Sequence, residues 1–308
     1  MSGPTAVVFA YHDVGVRCLK ALLSAGVQIP LVVTVADDPR ESRWYASVAA
    51  TAADYGLEVI APATASAADL EGRLRALAPD FLFSFYYRSL LPVGVLSSAR
   101  RGALNMHGSL LPKYRGRAPV NWAILKGERE TGATLHYMVE QADAGDIVDQ
   151  LAVPILADDD AREVFAKVTV AAETILARSL PQLIAGTAAR RPQRILPGQY
   201  FGRRTPEDGR IDWACPAREI HDLVRAVAPP FPGAFAEVGG ERWEIHRTRV
   251  SDRPAPRPGS WLFGVDGGLY AACGGGGVLQ LLSAWSAAGS IDLPRLSRTL
   301  SSRPAPLG

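Results

Sequence analysis

The chain has 308 residues, 48% of them hydrophobic and 21% charged, with a formal net charge of +2. That apolar content excludes disorder as the main state, and the length is a prior for two domains or one large one. The near-neutral charge gives no compositional sign of a nucleic-acid binder.

Residues 1–4 place no basic region ahead of the first apolar run, so no signal peptide is predicted. No stretch reaches the ~18 apolar residues that a membrane span requires. Three widely spaced cysteines, Cys18, Cys215 and Cys273, form neither a disulfide framework nor a zinc pattern. The expectation is a cytoplasmic protein with reduced thiols and no metal.

Residues 6–11 (AVVFAY) read as a buried strand. Residues 14–25 carry Leu19, Leu22 and Leu23 at helical spacing, with Gly26 to end the helix. A β-branched strand is predicted at 29–35, a helix at 44–55, a short strand at 57–60 and a helix at 67–78. Further strands follow at 80–85 and 103–107. Strands alternating with helices predict a mostly parallel sheet covered on both faces.

The rhythm then changes. Strands are predicted at 134–139 and 147–154, flanking the polar loop 140–146, and a long helix at 161–185. The segment 188–198 holds Pro192, Pro197 and several arginines, a composition that marks a linker. Beyond it, one helix (217–228) precedes short strands at 234–238, 242–247, 259–265, 269–272 and 278–282. Short strands separated by Gly and Pro predict a small barrel or sandwich. The last residues, 295–308, read as a polar tail. The predicted organisation is an N-terminal domain (1–190), a linker (191–205) and a C-terminal domain (206–308).

The first strand leads into Tyr11-His12-Asp13-Val14-Gly15, without the G-x-G-x-x-G of a dinucleotide site. The run Gly274–Gly277 lacks the Lys-Ser/Thr ending of a phosphate loop. The richest segment is LNMHGSLLPKYRGRAP, residues 104–119, at the carboxyl end of a predicted strand. Open α/β sheets place ligands there. Asn105 and His107 are two apart, so in a strand both side chains face the same side. Asp143, in the loop after another strand, could hold the His107 ring and favour the imidazolium. Asp146 competes with it for that role. Asn, His and Asp together contain no nucleophile. They suit direct attack by a substrate nucleophile on a carbonyl, with Asn105 donating to the oxyanion and His107 moving protons.

Asn105-x-His107…Asp143, with SLLPKYRG between, resembles the active site of the 10-formyltetrahydrofolate-dependent formyltransferases. The segments FAYHDVG (9–15), FSFYYR (83–88), HGSLLPKYRGRAPVNW (107–122), ADAG (142–145) and FGRRTPEDG (201–209) are similar to one branch. That branch is the formyltransferase half of bifunctional polymyxin-resistance proteins, and the likeness extends to about residue 285. It implies a Rossmann-like formyltransferase domain followed by a small OB-like β-barrel. It implies transfer of the formyl group of 10-formyltetrahydrofolate to the 4-amine of UDP-4-amino-4-deoxy-L-arabinose, in lipid A modification. It further implies that the folate lies along Ser89, Leu90 and Leu91 and along Val139, Glu140, Gln141, Ala142 and Asp143. At Ser89, where the family has histidine, only the backbone contact carries over. Arg117 would meet the nucleotide sugar, with Arg203 and Arg204 as further candidates for its nucleotide end. The bifunctional proteins continue into a dehydrogenase/decarboxylase domain, so a stand-alone enzyme and an excised half both stay open, as does the oligomeric state.

Three other functions compete, of which a nicotinamide oxidoreductase is already weakened by the missing glycines. Methionyl-tRNA formyltransferase shares the fold and the triad, but its usual G-T-P after the first strand is replaced here by Tyr11-His12-Asp13. A tRNA binder also needs many phosphate-neutralising cations. Residues 206–308 hold eleven arginines, no lysine and eleven carboxylates, which is no basic platform. The other rival is a non-catalytic folate- or nucleotide-binding module. The expected partner is therefore a UDP-amino-sugar, not a nucleic acid.

Overall fold

The computed structural model describes residues 3–36, 43–62 and 68–307. Residue 67, where the third helix was expected to begin, lies outside the described residues, as do the chain ends 1–2 and 308. The elements of the first part run β1 (Thr5–Ala10), α1 (His12–Ser24), β2 (Gln28–Val33), α2 (Val48–Asp54), β3 (Val59–Ile60), α3 (Ala68–Leu77), β4 (Phe81–Phe85), α4 (Val93–Leu96) and β5 (Gly102–His107). They continue through β6 (Arg115–Gly116), α5 (Pro119–Leu125), β7 (Glu130–Tyr137), β8 (Ile147–Pro154), α6 (Ala161–Ala185) and β9 (Tyr200–Phe201).

One seven-stranded sheet has the order β3-β2-β1-β4-β5-β7-β8. Its first five members pair in parallel, and β7 and β8 are antiparallel additions. The sheet is the predicted mostly parallel one. Successive strand residues point to opposite faces. Val7 and Phe9 of β1, Leu31 and Val33 of β2, Leu82 of β4 and Ala103 of β5 thus share one core with Leu70 and Leu74 of α3 and Val95 of α4. Helix α1 lies against β1 and β4.

Several boundaries differ from the sequence reading for local reasons. The helix expected at 44–55 starts only at Val48, because the Ser47 side chain accepts the N–H of Ala50 and caps it. Trp44 and Tyr45 are thereby left outside the helix. Strand 57–60 shrinks to Val59–Ile60. The strand expected at 134–139 spans Glu130–Tyr137, lengthened by pairing along β8. Helix α5 was not predicted.

The chain divides into two compact units. Residues 120–129 and 155–164 group with the second unit, which otherwise begins at Arg203. Within that unit, Asn121 Nδ2 donates to the Ala226 carbonyl at 2.7 Å. His221 Nε2 meets the Ala157 carbonyl at 3.0 Å, and Arg225 Nη1 donates to the Asp159 carbonyl at 3.0 Å. Its elements are α7 (Ala217–Val227), β10 (Ala234–Val238), β11 (Glu241–Ser251), β12 (Trp261–Val265), β13 (Gly268–Ala272), β14 (Val278–Ser286), β15 (Gly289–Ser290), α8 (Leu293–Leu300) and β16 (Ala305–Pro306). The strand path runs β10-β11-β14-β13-β12-β16, with β15 beside β14 and no closing pair among the described residues. The small barrel expected from the sequence is thus an open antiparallel half-barrel.

The polar tail is a correction. Residues 293–307 form a helix and a strand. Helix α8 packs on β12 and β13, Leu293 and Leu307 are buried, and Ser297 Oγ donates to the Gly268 carbonyl at 2.7 Å. The leucines sit far apart among Arg and Ser, so the sequence shows no apolar run. Fully burying a leucine is worth about 1.5–3 kcal/mol. Truncation after Ile291 is therefore expected to destabilise the protein by on the order of 3 kcal/mol or more, read as a lower Tm and a lower urea midpoint. An unchanged midpoint would contradict the packing role.

Candidate active site

The site is built at the carboxyl end of β5 and on the turn between β7 and β8. Asn105 and His107 both lie on β5, and their register partners on β7 are His136 and Thr134. The loop after β7 returns Asp143 to the same place. Its backbone there is left-handed, at φ 54°, a conformation that Asp tolerates better than most residues. Gly145 is buried against the backbone of Tyr137, where any side chain would run into the Tyr137 carbonyl.

Four side chains meet. His107 Nδ1 lies 3.6 Å from Asp143 Oδ1, and His136 Nε2 lies 3.7 Å from the same oxygen. Asn105 Nδ2 lies 3.1 Å from His136 Nε2. Asp143 Oδ2 accepts the backbone N–H of Gly116 at 2.9 Å. Asp146, the rival carboxylate, has its carbonyl bonded to the Tyr137 N–H, and its side chain makes no ion pair with His107.

The hydrogen bonds assign the tautomers. His107 Nε2 is 2.8 Å from the Tyr114 carbonyl, which can only accept, so Nε2 carries a hydrogen. In the neutral ring the nitrogen without a hydrogen is therefore Nδ1, the one that faces Asp143. His136 Nδ1 is 2.8 Å from the Tyr137 carbonyl and carries its hydrogen there. Its Nε2 is the acceptor for Asn105. That bond uses one N–H of the Asn105 amide and orients the other.

The charges follow from burial. Burial drives the His136 pKa down to about 4, with Asp143 opposing, so this ring is neutral at pH 7. Burial alone would raise Asp143. The adjacent His107 and His136, the Gly116 N–H and Arg115 outweigh it and hold the carboxyl below the usual range. Arg115 is itself buried, and its Nε and Nη2 donate to the Ala142 carbonyl at 3.2 and 2.6 Å. Gln193 Nε2 donates to the carbonyls of Asp143 and Gly145 at 3.1 and 2.6 Å. The Asp143 loop is thus clamped from two sides.

Sequence reasoning passed over His136, Arg115 and Gln193. His136 had a signal: a histidine in a buried strand must find partners, the same argument that singled out Asn105. Arg115 and Gln193 had none. Ser89 and Leu90 are exposed, Leu90 at 73%, while Leu91 is buried at 8%. Val139 is 48% exposed, Glu140 and Gln141 are exposed, and Ala142 is half-buried. Arg117 is exposed, with its N–H on the Phe201 carbonyl. Arg203 and Arg204 belong to the second unit, where the Arg204 guanidinium lies 5.0 Å over the Trp122 ring. Among the described residues, no group of three or more His, Cys, Asp or Glu is placed to hold a metal ion. No helix there is long and apolar enough to cross a membrane.

Residues 7–180 match the family described as Formyl transferase, and residues 203–291 match Formyl transferase, C-terminal domain. The chain belongs to the formyl transferase family. Solved structures share the fold. An N-formyltransferase from Helicobacter canadensis, in complex with folinic acid and dTDP-3-aminofucose, is 20% identical with a TM-score of 0.73, covering 94% of this chain and 100% of its own. WlaRD, a sugar 3N-formyl transferase determined in the presence of dTDP and 5-N-formyl-THF, is 18% identical with a TM-score of 0.71, covering 95% and 99%. A 4-N formyltransferase from Francisella tularensis is 20% identical with a TM-score of 0.65, covering 79% and 96%.

The His136 pKa has a stability consequence. The folded value of about 4 lies below the ordinary 6.5, so the unfolded chain takes the proton first as pH falls. Stability is therefore expected to drop between pH 6.5 and 4, by up to roughly 3 kcal/mol from this ring. His12, pushed down to about 3, adds a slope of the same sign. His136→Leu should flatten the dependence of Tm on pH over that window. It should also lower kcat about tenfold or more by releasing the Asn105 amide. A variant with the wild-type pH slope would remove the neutral-histidine assignment.

Proposed function

We propose that the protein transfers the formyl group of 10-formyltetrahydrofolate to the primary amine of a nucleotide-linked amino sugar. The acceptor that the sequence favours is UDP-4-amino-4-deoxy-L-arabinose, in lipid A modification. The observation that carries this reading is the convergence of Asn105, His107, His136 and Asp143 with no nucleophile among them. The structural relatives add support, because two of them were determined with a reduced folate and a dTDP species.

The amine attacks the formyl carbon directly. Asn105 gives its second N–H to the developing oxyanion, held in place by neutral His136. An oxyanion donor of this kind acts in the transition state and typically contributes 10²–10³ in rate. His107 takes the amine proton at Nδ1, and the imidazolium so formed faces the Asp143 carboxylate. Its Nε2–H stays on the Tyr114 carbonyl. As the tetrahedral intermediate collapses, the bond between the formyl carbon and folate N10 breaks, N10 receives the proton back from His107, and tetrahydrofolate leaves. Asp143 is thus a counter-charge and a proton neighbour in one.

The folate would lie along Ser89, Leu90 and Leu91 and along Val139, Glu140, Gln141, Ala142 and Asp143. The residues present fit a flat heterocycle. Leu90 and Val139 are large apolar side chains left open, while Leu91 belongs to the core beneath. Exposed apolar surface beside convergent polar groups is the usual composition of a ligand site. Arg117, Arg203 and Arg204 remain candidate contacts for the nucleotide sugar.

The deciding measurement is mass spectrometry of UDP-4-amino-4-deoxy-L-arabinose after incubation with the formyl donor. A gain of one formyl group is expected. The same assay with methionyl-tRNA in competition tests the rival acceptor, and preferential tRNA formylation would overturn the reading. His107→Ala is expected to fold and to lose at least about 10² in rate. Asp143→Asn should impair turnover and change its pH profile. Asp146→Asn should do neither.

A further inference from the structure

Three backbone groups hold the clustered side chains. The Tyr114 carbonyl holds His107, the Gly116 N–H holds Asp143, and the Tyr137 carbonyl holds His136. The segment 190–201, most of which composition marks as a linker, lies wholly in the first unit and meets all three of these residues. Its Phe201 ring packs on that of Tyr114, with centroids 5.0 Å apart. Strand β9 pairs in parallel with β6. The Arg115 N–H thus donates to the Gln199 carbonyl at 3.1 Å and the Arg117 N–H to the Phe201 carbonyl at 2.9 Å, one on each side of Gly116. Gly116 itself, at φ 101°, has no room for a side chain, which would run into the Phe201 carbonyl. The Arg190 guanidinium lies 3.8 Å over the Tyr137 ring. Arg191 exchanges two backbone hydrogen bonds with Ile147, at 2.8 and 2.9 Å.

We propose that this segment is a strap that sets the geometry of the catalytic cluster, with Gln193 as the positioning residue through which it holds the Asp143 turn. The proposal deepens the formyl-transfer reading and rests on it for its kinetic consequences.

Gln193 lies between the two paired stretches of the strap, at 191 and at 199–201. Its Nε2 carries two hydrogens, and both are used, on the carbonyls of Asp143 and Gly145 at 3.1 and 2.6 Å. A planar amide that spans those two carbonyls fixes their spacing, and with it the left-handed turn at Asp143. The Gln193 Oε1 is buried without a hydrogen-bond partner among the described residues, so the two donated bonds dictate how the amide faces. A carboxylate at this position would turn an acceptor onto two acceptors. An ammonium would compete with His107 for the Asp143 charge. The neutral amide does neither. The charged and titratable groups that act on Asp143 are His107, His136 and Arg115, and Gln193 adds none. A misplacement of about 1 Å in a reacting constellation can cost about 10² in rate, so a residue that only sets a turn has kinetic leverage.

Amide hydrogen exchange, read by NMR on the whole protein, tests this without any turnover in Gln193→Ala and in the nearly isosteric Gln193→Glu. In both variants the Gly116 N–H, which donates to Asp143, is expected to exchange at least about tenfold faster. The Arg115 and Arg117 N–H groups, held by β9, should keep their wild-type rates, as should the amides of β1 and β4. In turnover, kcat should fall at least about tenfold while the acceptor KM stays within about threefold. The pH profile of kcat should change in the same sense as in Asp143→Asn. Wild-type exchange at Gly116 in both variants would overturn the proposal. So would faster exchange spread evenly over β1 and β4, which is general loosening, or a raised acceptor KM with kcat unchanged. If the Gly116 amide responds as described and no amino sugar is formylated, the proposed reaction fails and the strap stands.

Discussion

The site depends on one carboxylate, largely withdrawn from solvent. Asp143 sits within 4 Å of two imidazole nitrogens, and its second oxygen is held by the Gly116 N–H. An ionised carboxylate in such a place is costly unless its surroundings compensate it. Every neighbouring feature can be read as that compensation. The Asp143 backbone is left-handed, Gly145 permits the chain to press on Tyr137, and Arg115 and Gln193 clamp the loop by its carbonyls. A carboxylate held that firmly can give His107 Nδ1 a fixed counter-charge rather than a mobile one.

The two histidines show how one carboxylate serves two opposite ends. His136 is buried so deeply that desolvation outweighs the attraction of Asp143, and it stays neutral. Its free lone pair then fixes the Asn105 amide. His107 differs in having its Nδ1 turned to Asp143 while its Nε2 is anchored on Tyr114. The same residue type is thus placed in two different settings, one set by burial and the other by which ring nitrogen its hydrogen bond occupies. Both roles require β5 and β7 to be in register, since Asn105 faces His136 across that pair.

Within the second unit the polar groups do a different job. Asp222 and Arg225 are a buried pair on α7, and Arg225 also donates to the carbonyls of Leu156 and Asp159. His221 spans the Thr248 hydroxyl and the Ala157 carbonyl. These bonds tie three backbone carbonyls of the 155–164 segment to α7, that of buried Asp159 among them. This unit is therefore stapled to a piece of chain that is distant in sequence.

Much of the fold was legible because it is local. Apolar runs of five or six residues alternating with helical spacing announce a parallel sheet, and α6 at Ala161–Ala185 follows from its own periodicity. Capping by Ser47 and the burial of Leu293 were not legible as read, the first because a cap looks like any loop serine, the second because its apolar partners lie on other strands. The candidate site divides the same way. Asn105, His107 and Asp143 stand out because polar residues at the end of a buried strand need a reason. Which aspartate faces His107, which nitrogen carries each proton, and that His136 stands between Asn105 and Asp143 depend on the β5–β7 register and the turn at Gly145. Sequence alone determined the chemical types that this protein brings to its site. Their pairing was decided only by tertiary structure, because hydrogen bonds and desolvation act over a few ångströms in space, between residues that the chain holds about thirty positions apart.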